Sequence, residues 1–340
     1  MSKRVSLNDL AEALGLSKTL ISMVMNGKGD EIKISKATQK KVLEKAKQMN
    51  YSPNQFARGL RMGRSQTIGL IVPDISNQFY GRIARVMEDE LSKHSYRLLI
   101  CSSEEDPDKE NELIRMLQDR AAEGILLAST QKNAKELVRM KKDNYPLVLF
   151  DREFEDEKFD SVVVENREGA VKVTEHLLKS GHKRIALFNI SPAYISPLSE
   201  RTIGFIETLK KKNIKLSKDL LCEIPFNKVE EEVARHLKKL LQPEKKVDAI
   251  FTLNNNLAVA VLKTLRKMKI RIPEDVALCS FDDIPAFEIT SPQVTAIAQP
   301  VDEIGIAAVK KILARIESKD KEKKPHSEAL PVKLVLRESC

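Results

Sequence analysis

The chain has 340 residues, 42% of them apolar and 5% aromatic, with no tryptophan. This composition fits a soluble globular protein with room for more than one core, and it excludes disordered, collagenous and membrane-spanning chains. All but one unit of the net +9 charge lies in residues 1–66, where 13 Lys or Arg face 5 Asp or Glu, so that segment is suited to a polyanionic partner.

The first elements are short helices. Leu7, Leu10, Ala11 and Leu14 recur at the spacing of one helix face, with Ser6 as cap and Gly15 as the residue that turns the chain. Ser17 is a natural cap for a second helix that buries Ile21, Val24 and Met25 and stops near Asn26-Gly27. A third helix from Ser35 would turn Val42, Ala46 and Met49 inward and Lys36, Lys40, Lys41, Lys45 and Lys47 outward. Two short helices joined by a glycine turn and braced by a third form a helix-turn-helix, whose second helix can enter the DNA major groove. A three-helix bundle for protein contact is the alternative, and the local charge favours DNA. The stretch GKGDEIKI between Asn26 and Ser35 reads as an exposed loop, with Lys28 available to a phosphate.

From Thr67 the texture changes to apolar strands alternating with amphipathic helices. TIGLIVP precedes a helix carrying Phe79, Ile83, Val86, Met87 and Leu91, followed by YRLLIC, GILLA and PLVLFD; after SVVVE the alternation restarts with RIALFN, AIFTL and VALCSF. Near-continuous apolar strands at this spacing suit parallel sheets covered on both faces, in two successive α/β lobes with a cleft between them. Polar residues collect just after the strands, at Asp74, Asp151, Asn254 and Asp282. Open α/β sheets bind ligands at those carboxyl ends.

Nothing in the sequence supports catalysis. There is no Gly-rich dinucleotide fingerprint, Walker sequence or nucleophile elbow. The five histidines and the four cysteines, Cys101, Cys222, Cys279 and Cys340, lack metal-ligand spacing. The expectation is therefore no enzyme, no metal, no cofactor and no disulfide. The opening residues, interrupted by Asn8, Asp9 and Glu12, do not resemble an export signal, so a cytoplasmic protein with no membrane partner is expected.

Several stretches, in order, resemble landmarks of the lactose and purine repressor (LacI/GalR) family: VSLNDLAEALGLS, YSPNQFARGLRMGRSQTIGLIVPD, SGHKRIALF, ERTIGF, RIPEDVALCSFDD and LPVKLVLRES. The resemblance implies an α/β protein with an N-terminal three-helix helix-turn-helix DNA-binding domain and a two-lobed, periplasmic-binding-protein-like body of parallel sheets. Its implied boundaries are 1–52 for the DNA-binding domain and 53–66 for a hinge helix and linker. The N-terminal lobe would hold 67–164 with 297–324, and the C-terminal lobe 165–296 with 325–340.

By the same resemblance, Lys18, Thr19 and Met23 would read bases, with Ser6, Leu7, Ser17, Ser22 and Asn26 at the DNA surface. Asn54 and Ala57 would meet the minor groove, with Leu60 as an apolar wedge; the alternative makes Leu60 part of an interdomain core. The family often carries Thr and Arg where this chain has Leu20 and Met23. A methionine cannot make the paired guanine contact of arginine, so the operator sequence does not transfer.

Asp151, Arg201, Asn254, Asp282 and Gln299 match the family's effector-binding positions, and Phe79 or Phe226 would cover the apolar face of a sugar ring. The alternatives are a turn cap for Asp282 and Asp283, an interlobe ion pair for Arg201, and plain core for Phe79. The implied function is a ligand-responsive transcriptional regulator, a repressor of carbohydrate-related genes. It would act as a homodimer on a palindromic double-stranded DNA operator, with a sugar or sugar derivative as small-molecule effector. A sugar-delivery protein and a sugar-modifying enzyme are the competing functions.

Overall fold

In the computed structural model, residues 5–51, 64–244, 247–318 and 324–340 are described. The chain divides into two units, Met1–Ser65 and Gln66–Cys340.

Helix α1, Leu7–Leu14, begins in a reciprocal cap: Ser6 N donates to Asp9 Oδ2 at 2.8 Å, and Asp9 N donates to Ser6 Oγ at 3.3 Å. Gly15 ends it at φ +62°, where a side chain would be strained. Ser17 caps α2, Lys18–Met25, through Leu20 N, and Ser35 caps α3, Lys36–Gln48, through Thr38 N. Leu10, Ala11, Ile21, Val24, Val42 and Ala46 form the core, with Leu7, Leu14, Met25 and Met49 half-buried against it. So small a core leaves the caps, worth about 1 kcal/mol each, a large share of the unit's stability. The loop before α3 is less open than its polar sequence suggests. Gly29 is buried, and Gln39 Nε2 donates to Asp30 Oδ1 and Ile34 O, both at 2.8 Å, while Lys28 stays exposed. Of the five lysines expected to face outward, Lys45 is half-buried.

Among the described residues, the second unit contains two six-stranded sheets. The first lobe runs β1 Thr67–Val72, α4 Gln78–Lys93, β2 Arg97–Ser102, α5 Pro107–Asp119, β3 Gly124–Leu127, α6 Lys135–Lys142, β4 Leu147–Phe150 and β5 Asp160–Val164. The chain then enters the second lobe with α7 Asn166–Lys179, β6 Ile185–Ser191, α8 Ser196–Lys211, β7 Leu221–Pro225, α9 Val229–Leu240, β8 Ala249–Thr252, α10 Asn255–Met268, β9 Ala277–Phe281, α11 Ala286–Ile289 and β10 Thr295–Ala298. Helix α12, Val301–Glu317, and β11, Ser327–Leu330, return to the first lobe; β12, Lys333–Val335, ends on the second.

The sheet orders are β11-β5-β4-β3-β1-β2 and β12-β10-β9-β8-β6-β7, parallel throughout except for β12 against β10. Every residue of β3, β4, β8 and β9 is buried, as strands covered by helices on both faces must be. The edge strands differ: Leu99 and Ile100 on β2 and Leu221 on β7 are exposed.

The sheet pairing corrects the lobe boundaries at both returns. Ile297 and Ala298, expected with the N-terminal lobe, lie on β10 of the second sheet, and Ser327–Leu330, expected with the C-terminal lobe, pair with β5 of the first. Strand termini carry no mark of the sheet they join, because every candidate sheet offers the same backbone ladder. Among the described residues, no helix is long and apolar enough to cross a membrane.

Candidate functional site

In the N-terminal unit, α2 presents one polar arc. Lys18 and Thr19 in its first turn and Asn26 at its end are exposed, while Ser22 and Met23 are half-buried on the side opposite Ile21 and Val24. Asn26 Nδ2 donates to Ser22 O at 2.7 Å, tying the end of this arc to its middle. Ser6 and Ser17 are exposed at the two helix starts, each engaged as a cap, and Leu7 packs half-buried against the core. Helix starts carry unpaired N–H groups and a positive dipole end, which suit a phosphate backbone. Asn54, Ala57 and Leu60 lie outside the described residues.

In the second unit, a cleft of about 520 Å³, partly open to solvent, is lined from both lobes. All seven residues singled out in the sequence line it: Phe79 and Asp151 from the first lobe, Arg201, Phe226, Asn254 and Asp282 from the second, and Gln299 on the crossing segment. Strand ends bring them together. Asp151 follows β4, Asn254 follows β8 and caps α10 by accepting from Leu257 N at 2.9 Å, and Asp282 follows β9. Asp151 and Asp282 take left-handed backbone at φ +62° and +71°, an unfavourable conformation for residues other than glycine, of a kind that collects at functional sites.

Arg201 on α8 is 3% exposed. Its Nε donates to Asn166 Oδ1 at 2.8 Å, Nη1 donates to Leu253 O at 2.7 Å, and the guanidinium lies 3.6 Å from the centre of the Phe281 ring. It stands 3.9 Å from Asp282 Oδ1, which also accepts from Gln299 Nε2 at 2.5 Å. Both partners belong to the second lobe, so the expected alternative of an interlobe ion pair for Arg201 does not hold. Burial raises the Asp282 carboxyl above its ordinary value against the pull of Arg201 and Gln299, and burial lowers Arg201. Gly204, one turn after Arg201, makes room for this placement: a Cβ there would lie 2.4 Å from Arg167 O on α7.

The first-lobe wall holds residues that sequence reading missed. Tyr80 Oη donates to Asp151 Oδ2 at 2.7 Å, and burial pushes its phenol well up, so it acts as a donor. Arg152, buried, grips Glu105 with two hydrogen bonds, 2.9 and 2.6 Å. Glu105 was within reach of the strand-end argument, since it follows β2, and Arg152 directly follows Asp151. Tyr80 gave no signal, because it sits in the apolar pattern of α4. Phe79 is buried and stacks edge-on with Tyr80 at 5.1 Å, so it is both core and cleft wall.

Among the described residues, two buried atoms in this lining lack a hydrogen-bond partner: the acceptor Gln299 Oε1 and the donor Arg152 Nε, which is 3.7 Å from Asp151 Oδ2. Leaving such atoms unpaired costs roughly 1–3 kcal/mol each. A hydroxyl, which both donates and accepts, can satisfy either. Hydrogen bonds also cross between the lobes, from Asn255 Nδ2 to Asn77 Oδ1 at 3.0 Å and from Tyr194 Oη to Thr130 O at 3.1 Å. Among the described residues, no cluster of His, Cys, Asp and Glu is arranged to hold a metal ion.

Residues 174–340 match the periplasmic binding protein-like domain family. The chain is 31% identical over 336 residues to the HTH-type transcriptional regulator KdgR of Bacillus subtilis, covering 98% of this chain and 97% of that protein. A LacI family transcriptional regulator from Enterococcus faecium, solved with bound ribose, superposes with a TM-score of 0.70 at 28% identity, over 80% of this chain and 98% of that one. The lac repressor dimer bound to operator and the anti-inducer ONPF shares the fold, with a TM-score of 0.81 at 20% identity over 99% of each chain. These matched relatives are regulators of transcription, not enzymes. Sequence identity of 31% over nearly the whole length of the Bacillus subtilis regulator, in a chain with a helix-turn-helix head and a two-lobed body holding a polar cleft, places this chain in the LacI/GalR family of DNA-binding transcriptional regulators.

Proposed function

We propose that this regulator is a repressor of carbohydrate-related genes that binds a palindromic operator as a homodimer and responds to a sugar or sugar derivative held between its lobes. The observation that carries the reading is the cleft lining. It combines an unpartnered buried acceptor and donor, Gln299 Oε1 and Arg152 Nε, with the rings of Phe79 and Phe226 and the strand-end groups Asp151, Asn254 and Asp282. This mixture of convergent polar groups and apolar faces suits a polyhydroxylated ring. Four carboxylates, Asp74, Glu105, Asp151 and Asp282, face two guanidiniums, Arg152 and Arg201, a balance that favours a neutral ligand over an anionic one. The bound ribose in the Enterococcus faecium relative is consistent with it.

Lys18, Thr19 and Met23 then read base edges, Ser6, Leu7, Ser17, Ser22 and Asn26 lie at the DNA surface, and Asn54, Ala57 and Leu60 serve the minor groove. The exposed Leu99 and Ile100 on edge strand β2 and Leu221 on edge strand β7 provide apolar surface for a second copy. Effector control requires that the sugar bind one lobe arrangement more tightly than the other.

The deciding measurement is a gel shift on the gene's own upstream DNA, repeated across a panel of neutral sugars and sugar acids. A fragment bound in preference to random duplex, with the affinity changed by a neutral sugar, is the expected result. Equal binding to every duplex with and without every sugar refutes the proposal.

A further inference from the structure

Beneath the second sheet, away from the cleft, three reactive groups meet. Cys279 is buried in the middle of β9, and the segment 337–340 runs back under β9 and β10. Leu278 N donates to Ser339 O at 2.9 Å, Ser339 Oγ donates to Leu278 O at 2.5 Å, and Thr295 N donates to Ser339 Oγ at 2.9 Å. This pairing carries the Cys340 thiol to 3.1 Å from Cys279 Sγ and 3.1 Å from Nε2 of His176 on α7. All four cysteines of the chain are free thiols.

We propose that Cys279 and Cys340 are a reversible thiol–disulfide pair, in which partly exposed Cys340 meets a peroxide and buried Cys279 resolves the product. The two residues have unequal parts. Cys279 has no exposed surface, so an oxidant in solution reaches Cys340 first. Hydrogen bonding from Cys279, then from Thr295, together with nearby His176, lowers the Cys340 thiol to about 6, whereas burial pushes Cys279 well up. Low thiolate pKa, access and an adjacent resolving thiol are the properties of redox-sensitive cysteines.

The chemistry balances with hydrogen peroxide as the oxidant. The Cys340 thiolate attacks one peroxide oxygen; the O–O bond breaks, hydroxide leaves and takes a proton to become water, and Cys340 becomes a sulfenic acid. The Cys279 sulfur then attacks the Cys340 sulfur, forming the S–S bond as the sulfenic hydroxyl departs with the Cys279 proton as a second water. Two electrons pass from the thiols to the peroxide. His176 Nε2 is placed to shuttle these protons. The sulfurs need to approach by only about 1 Å to reach the roughly 2.05 Å of a disulfide.

The full reduced chain, treated with stoichiometric hydrogen peroxide and then denatured and alkylated, provides the test by intact mass and non-reducing peptide mapping. The expected product is a single chain lighter by two hydrogens, with two alkylated thiols and a linked Cys279–Cys340 peptide that dithiothreitol separates. In Cys279→Ser, Cys340 accumulates as a dimedone-trappable sulfenic acid and then as sulfinic acid under conditions that leave the wild type cross-linked. Slow alkylation of buried Cys222 before denaturation reports that the variant has kept its fold. Four alkylated thiols after peroxide, over-oxidised Cys340 in the wild type, or a bond between the Cys340 residues of two chains overturns the proposal.

Discussion

Replacing Arg201 with methionine tests whether the buried Arg201–Asp282 pair is a structural unit. The partners are 3% and 5% exposed and 3.9 Å apart. Without the guanidinium, Asp282 keeps Gln299 Nε2 but loses its cation, and Asn166 Oδ1 and Leu253 O lose their donor. Breaking a buried pair from one side costs about 3–5 kcal/mol. Methionine refills part of the volume against Phe281, so a loss of about 3–4 kcal/mol is expected, or about 6–16 °C in Tm for a unit of this size. Adding Asp282→Asn to the same chain removes the stranded charge and should return about 1–3 kcal/mol.

The pH dependence has a definite sign. Burial places the folded Asp282 value above the unfolded one, so the native state binds the extra proton within that window and stability falls as pH rises through it. Removing Arg201 takes away the strongest influence holding the value down and raises it further. The deficit of Arg201→Met is therefore largest above the window and shrinks on acidification towards the ordinary carboxylate value of about 4. Urea unfolding followed by circular dichroism at several pH values is the assay, since the chain has no tryptophan to report fluorescence. Additive losses in the single and double variants, within about 0.5 kcal/mol, would refute the coupling.

Three further substitutions probe other parts of the molecule. Gly204→Ala places a Cβ 2.4 Å from Arg167 O and forces α8 away from α7; despite better helix propensity, a net loss of about 1–3 kcal/mol is expected in thermal unfolding, with weaker sugar binding because Arg201 moves with its helix. Gln299→Leu removes the unpartnered acceptor and should weaken the sugar identified by gel shift about 5- to 150-fold in calorimetry while sugar-free operator affinity is kept; unchanged sugar affinity would exclude that atom from the site. Lys18→Ala should lower affinity for the operator more than for random duplex in gel-shift titrations, and an equal loss on both would place Lys18 away from the base edges.

The body shows where sequence reading succeeds. Strand ends at Asp151, Asn254 and Asp282 were legible because a buried apolar run that stops at a polar residue locates the carboxyl edge of a parallel sheet. Tyr80 was hidden, since its ring obeys the apolar period of α4 and only its hydroxyl reaches Asp151. The lobe returns were misplaced for a related reason: Ser327–Leu330 is short and half-exposed, with no pattern to distinguish one sheet edge from another.

The amino-acid order alone determined the helices and their caps, the two rounds of strand and helix, and the concentration of positive charge at the N-terminus. These depend on contacts within a few residues, where spacing and side-chain chemistry act directly. Tertiary packing decided which lobe received β10 and β11, the pairing of Arg201 with Asp282 inside one lobe, the grip of Arg152 on Glu105, and the meeting of Cys279 with Cys340 across 61 positions. Such contacts join segments far apart in the chain, and their free energy arises only when burial removes water from both partners at once.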